Sequence, residues 1–208
     1  METENVVLMK QAREALSGKW GLAIGTYVVY YLIVLAIQFI PIAGAIAAFI
    51  IAGPMAVGAA IFSLSISRNK EAELGQIFEG FKKFGVSLGA YLLMILFVLL
   101  WSLLLIIPGI IAALSYSMTF YILADNDSMG AKEAMDESKI MMDGYKWKFF
   151  CLGLRFLGWI LLCMLTLGIG FLWLIPYMQV SYAKFYDDLK GYKKVADEDY
   201  VGHLGVFE

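Results

Sequence analysis

The stretch WGLAIGTYVVYYLIVLAIQFIPIAGAIAAFIIAGPMAVGAAIFSLSIS, residues 20–67, decides the fold. It lies between Lys19 and Arg68, and its 48 residues include no Asp, Glu, Lys or Arg. As α-helix it would extend roughly 72 Å. A bilayer hydrocarbon core is about 30 Å thick, so the segment is long enough to cross twice. Pro41-Ile42-Ala43-Gly44 offers the turn, which predicts helices near 20–40 and 42–66.

The same reading extends outward. Residues 84–124 form a second charge-free run of 41 residues, with the expected turn at Ile107-Pro108-Gly109. Proline disfavours helix in the residue before it, and glycine frees the backbone. This predicts helices near 86–107 and 110–124. Residues 149–183 form a third run of 35 residues, interrupted by Arg155 alone. A turn at 166–170 gives two short spans, each near the lower limit of about 17 residues for crossing. A re-entrant hairpin is the competing reading of this third run.

Composition agrees. The chain has 208 residues, 61% of them hydrophobic and only 16% charged. Soluble domains have about 45–50% apolar and about 25% charged residues, so part of the solvent must be lipid. A net charge of −2 gives no basic stripe for nucleic acid. Cys151 and Cys163 would lie roughly 18 Å apart on one helix, too far to bridge. They read as small buried hydrophobes.

The cations set the orientation. They cluster at Lys10/Arg13/Lys19, Arg68/Lys70/Lys82/Lys83, Lys132/Lys139/Lys146/Lys148 and Lys184/Lys190/Lys193/Lys194, with Arg155 outside the clusters and none at the hairpin tips. Under the positive-inside rule every cluster is cytoplasmic. Six spans with both termini inside satisfy this, and an odd number does not. A cleaved leader is disfavoured, because it would carry Glu2, Glu4 and Glu14 and too long an apolar stretch.

Each hairpin follows a segment with apolar residues three and four apart, one face of a helix. The first has Val6, Met9, Ala12 and Leu16; the second Leu74, Ile77, Phe78 and Phe81; the third Ala131, Ala134, Met135, Ser138, Met141 and Met142. Each leads to glycine with basic and aromatic residues: Gly18-Lys19-Trp20, Gly80-Phe81-Lys82-Lys83-Phe84, and Gly144-Tyr145-Lys146-Trp147-Lys148-Phe149. Such segments suit the inner membrane surface, with aromatic rings anchoring at the interface. The expected architecture is therefore an all-α polytopic membrane protein of about six transmembrane helices. They form three hairpins, each preceded by a cytoplasmic amphipathic helix. Residues 1–208 read as one membrane domain with repeat-like units at about 5–66, 71–124 and 131–186, and a polar cytoplasmic tail at 187–208. All units enter from one side, unlike the inverted repeats of many transporters.

Candidate sites are sparse. Gly44, Ala48, Ala52, Ala56 and Ala60 repeat every four residues, a stripe that lets helices approach closely in lipid. It serves packing within the chain or a dimer interface. Pro54 should kink this helix. Arg155, roughly 10 Å beyond Lys148 on an ideal helix, snorkels to the headgroups or makes a structural hydrogen bond, or else forms a lipid-phosphate or anion contact with Lys148 and Lys146. Ser115, Tyr116, Ser117, Thr119, Tyr121, Tyr177, Gln179, Ser181 and Tyr182 line a polar path or satisfy backbone carbonyls. His203, amid Asp197, Glu198 and Asp199, is too poor in ligands for a metal site. Asp125, Asp127, Glu133, Asp136 and Glu137 read as helix capping and a solvated face rather than a divalent-cation site. No nucleophile elbow, phosphate loop, zinc motif or nucleotide fingerprint appears, and no cofactor is implied.

Several stretches resemble one family: GKWGLAI at 18–24, ELGQIFEGF at 73–81, WSLLLIIPGI at 101–110, SYSMTFYILAD at 115–125, ESK at 137–139, GYKW at 144–147, GWILL at 158–162 and TLGIGFLWL at 166–174. Together they resemble the uncharacterised bacterial integral-membrane family named domain of unknown function 975. Arg155 departs from the apolar or small residue expected there. The resemblance implies a multi-span membrane protein of unassigned role. A fainter similarity to the membrane portion of some glycerophosphodiester phosphodiesterases implies a lipid-related setting. The expected function is non-enzymatic organisation of membrane lipids or of partner proteins, including further copies of the chain. The alternative is a transporter or exporter of a lipid-like or small hydrophobic solute.

Overall fold

The computed structural model describes residues 3–40 and 42–204, with side chains to Tyr192. Pro41 of the first turn, and the side chains of His203, Asp197, Glu198 and Asp199, lie outside the described residues. Helix is the only regular structure among those described: α1 Asn5–Leu16, α2 Trp20–Gln38, α3 Ala43–Ser67, a 3-10 segment Leu74–Lys83, α4 Phe84–Leu104, α5 Ile106–Ser115, α6 Thr119–Asp125, α7 Ala131–Met141, α8 Lys146–Leu165 and α9 Phe171–Leu204. The protein is an all-α polytopic membrane protein. Among the described residues, five helical runs are long and apolar enough to cross: Trp20–Gln38, Ala43–Ser67, Leu74–Leu104, Ile106–Asp125 and Lys146–Leu165. The sixth predicted span is the start of α9, which passes Lys184 without a break and carries the predicted polar tail as helix to Leu204.

The third turn falls where expected, whereas α3 begins at Ala43, so Ala43 and Gly44 of the expected first turn are already helical. In the third, Leu167 and Gly168 take positive φ (53° and 88°). Thr166 Oγ1 donates to Cys163 O at 2.9 Å and accepts from Gly170 N at 3.1 Å. The second turn is a correction. The chain breaks at Leu105, whose φ of −162° is extended, and Pro108 sits in the first turn of α5. There its missing N–H costs nothing. Gly109 is needed for contact: a Cβ there would lie 2.0 Å from Ser102 Oγ of α4.

The predicted fourth helix is also interrupted, at 116–118. The cause is Ser138 of α7, fully buried. Its hydroxyl donates to Ser115 O at 2.8 Å and accepts from Met118 N at 3.2 Å. A side chain inserted into the backbone ladder is an established cause of helix breaks.

The segments before the hairpins bury only part of their expected apolar stripes, since Val6, Phe78 and Phe81 are exposed. In α1, Leu8, Ala12, Ala15 and Leu16 are buried, while Lys10, Arg13 and Glu14 are exposed. In α7, Ala134, Met135, Ser138 and Met141 are buried opposite Lys132, Glu133, Asp136 and Lys139. The second segment is 3-10 helix. Its three-residue period aligns side chains at i and i+3, which puts Ile77 and the glycine at 80 in line, both buried. This segment lies across α3 at backbone distance. A Cβ on Gly58 would be 1.9 Å from Ile77 O, and one on Gly80 would be 1.9 Å from Pro54 O.

The predicted small-residue stripe is placed unevenly. Gly44 meets Ile37 O of α2, and Ala60 is buried in the core. Ala48, Ala52 and Ala56 are only half-buried. The close approaches on α3 are made by glycines, Gly44 of the stripe together with Gly58 and with Gly53, which lies against Ser87 O of α4.

Candidate functional site

The ends of the return helices meet at an ionic hub. Arg68 follows α3, Asp125 closes α6, and Asp187 lies on α9. Arg68 donates to both Asp125 oxygens, at 2.5 and 3.1 Å, and to Asp187 Oδ1 from Nε and Nη2, at 3.0 and 2.7 Å. Ser67 Oγ donates to Asp187 Oδ2 at 2.8 Å, and Tyr186 to Asp125 at 3.2 Å. Lys190 pairs with Asp125, and Lys184 donates to Ser67 O. The Asp125 hydrogen bonds, outweighing burial, hold the Arg68 guanidinium above its ordinary range. Burial lowers the Lys184 ammonium against the pull of Asp187 and Glu14. Burial, then the Asp125 charge, raises the Tyr186 phenol. The sequence places Arg68 in a cytoplasmic cation cluster and Asp125 among acids expected to cap helices or face solvent. The available signal was position, since each is the first charge after a long apolar run.

Lysines bridge the same ends. Lys19 Nζ donates to Lys70 O at 3.1 Å. Lys83 donates to Leu123 O and Asn126 O at 2.7 and 2.9 Å and pairs with Asp127 at 2.6 Å. The bond to Leu123 O captures a carbonyl that the C-terminus of α6 leaves open. Gly18 and Gly144 turn the chain with φ of 77° and 76°. Gly80 serves contact instead, with no positive φ.

Inside the bundle, a chamber of about 180 Å³ is lined by Tyr27, Tyr30 and Tyr31 of α2, Ala56, Ala59 and Ala60 of α3, Phe120 and Tyr121 of α6, and Gln179 of α9. Tyr27 hydrogen-bonds Ser63 at 2.8 Å, and Tyr121 donates to Gln179 Oε1 at 3.2 Å. The half-buried Ala56 therefore leaves space rather than bringing two backbones together. Other predicted path residues satisfy local carbonyls: Ser115 donates to Ile111 O, Ser117 to Leu114 O, and Ser181 to Tyr177 O.

A larger groove, about 570 Å³, is lined by Arg13 of α1, Trp20 of α2, Trp159, Leu162 and Cys163 of α8, Thr166 and Gly170 of the turn, and Trp173, Leu174 and Tyr177 of α9. The turn shapes its floor, since a Cβ on Gly170 would lie 2.6 Å from Cys163 Sγ. Trp159 and Trp173 are about half exposed on its rim. Arg13 is exposed and has no hydrogen bond or ion pair among the described residues.

The predicted anion group falls elsewhere. Arg155 is exposed on α8, and Lys146 and Lys148 are half-buried. None of the three lines the groove or the chamber. The backbone carbonyl of Lys148 accepts from Asn5 Nδ2 at 2.9 Å. Among the described residues, no group of three or more His, Cys, Asp or Glu is placed to hold a metal.

The sequence from the end of α4 into α9 thus carries the groove's α8–α9 walls, the hub acids, and the chamber's Tyr121 and Gln179. Residues 103–193 match the family described as protein of unknown function (DUF975). The chain is similar to DUF975 over that stretch, and the earlier stretches at 18–24 and 73–81 lie outside it. No curated protein and no solved structure matches the chain. Arg13, Trp20 and Arg68 are supplied from outside the DUF975 match.

Proposed function

We propose that this is a non-enzymatic membrane protein that organises lipid, holding a phospholipid in the lateral groove between α1–α2 and α8–α9. It crosses the membrane six times, with both termini on the cytoplasmic side. The observation that carries the reading is the groove. Its walls are three tryptophans, a tyrosine, two leucines, Cys163, Thr166 and Gly170, with one cation at its edge and no Asp, Glu or His among the lining residues. Tryptophan rings favour the membrane–water interface.

The topology is supported by the contacts among the charged clusters. Lys19 reaches Lys70, Lys83 reaches Asn126, and Arg68 reaches Asp187. The connections after the first and second hairpins therefore gather with the start of α2 and the charged part of α9 at one end of the bundle. An even number of crossings between successive clusters produces this arrangement.

The test is purification in native-lipid discs, with mass spectrometry of what remains bound. One phospholipid per chain supports the reading. Bulk lipid composition alone removes it.

The chamber favours a second reading, passage of a small uncharged solute past the tyrosine hydroxyls. Replacing Ala56 with Leu fills that space and leaves the groove untouched. Loss of solute movement with retained lipid would favour this reading over the first.

A further inference from the structure

We propose that the groove selects an anionic phospholipid, with the Arg13 guanidinium as the phosphate contact and the groove between Trp159, Leu162 and Trp173 as the acyl-chain seat. This deepens the lipid-holding reading and rests on it.

Arg13 lines the groove together with Trp20, at the start of the first span, where a headgroup would sit. It faces Tyr177 of the groove electrostatically and makes no hydrogen bond or ion pair among the described residues. The neighbouring carboxylate, Glu14, is 4.0 Å from Lys10, so an acid next in sequence is partly satisfied elsewhere. An arginine fork matches two phosphate oxygens. Beyond it the lining turns apolar and aromatic toward Thr166 and Gly170 at the hairpin turn. A free phosphate would leave that apolar length empty, whereas a lipid fills both parts. A zwitterionic headgroup carries its own ammonium, which competes with Arg13 for the phosphate. An anionic headgroup carries none.

Arg155 lines neither cavity and provides an internal control. The expected preference is roughly fivefold, the size of one cation's attraction to anionic lipid.

The experiment reconstitutes the full chain in discs of equal phosphatidylglycerol and phosphatidylcholine and counts retained lipids by native mass spectrometry. The wild-type chain should keep one lipid, enriched about fivefold for phosphatidylglycerol, the one-cation value above. Arg13→Gln should keep the lipid and lose the preference, and Arg13→Lys should restore most of it. Trp159→Ala should lower occupancy for both headgroups. Arg155→Gln should change nothing, and excess inorganic phosphate should not displace the lipid. A retained lipid with no preference, or a preference that survives Arg13→Gln, overturns this proposal and leaves lipid holding intact. No retained lipid at all overturns both.

Discussion

Arg68 and Asp125 are 57 positions apart in sequence, yet the guanidinium of one holds both carboxylate oxygens of the other, at 2.5 and 3.1 Å. The pair ties the end of α3 to the end of α6, and Asp187 extends the tie to α9. All three side chains are largely but not wholly covered, at 27%, 12% and 26% exposure. A charge-assisted pair in that setting matters most when one half is removed, because the other is left without a partner.

Arg68→Gln should therefore destabilise the fold by about 2–3 kcal/mol, below the range for fully buried pairs because solvent reaches this one. Arg68→Lys should recover part of the loss, since a lysine supplies charge without the two-pronged geometry. Unfolding by denaturing detergent, followed by circular dichroism, measures it. A loss under about 0.5 kcal/mol, typical of exposed pairs, would show that the hub contributes little.

Gly58→Ala and Gly80→Ala should each cost more than Ala48→Leu. The first two put a Cβ 1.9 Å from a backbone oxygen, which forces α3 and the 3-10 segment apart. Overpacking of this kind costs about 1–3 kcal/mol or more. Ala48 is only half-buried. The same unfolding assay ranks the three variants, and the reverse order would restore the four-residue stripe as the tighter interface.

Ser138→Ala should destabilise by about 1–3 kcal/mol, the penalty for leaving buried backbone groups unpaired. It removes the hydroxyl that both accepts from Met118 N and donates to Ser115 O. Hydrogen exchange should rise at 115–119 before it rises in α3. Unchanged exchange there would mean that the break closes without Ser138.

The topology predicts opposite labelling of two sites once Cys151 and Cys163 are replaced by serine. Cysteine at Ile169, in the exposed third turn, should react with an impermeant reagent in intact cells. Cysteine at Tyr192 should react only after permeabilisation. Labelling of both from one side would mean a re-entrant third hairpin.

Much of this architecture was legible because lipid imposes a simple rule: apolar runs cross, and charges stay out. Gaps between charges located the five long spans, and the turn at 166–170 followed from its glycines. Features made by distant partners were not legible. Nothing near residue 117 announces that Ser138 splits the fourth helix. The spacing of small residues marked α3 as a packing helix, but choosing Gly53 and Gly58 over Ala48 and Ala52 required knowing where the 3-10 segment lies. Arg155 attracted attention through its depth along α8. Arg13 was grouped with surface cations, although it is the one that meets the groove, because direction around a helix depends on its neighbours.

The most direct test of the central claim is to map where a phospholipid with a photoreactive acyl chain attaches to the purified chain. The groove account predicts labelling concentrated on Trp159–Thr166 and Phe171–Tyr177. Exposed positions on α4 such as Leu96, Leu99 and Leu103 should be labelled weakly. Even labelling over every lipid-facing helix would contradict it.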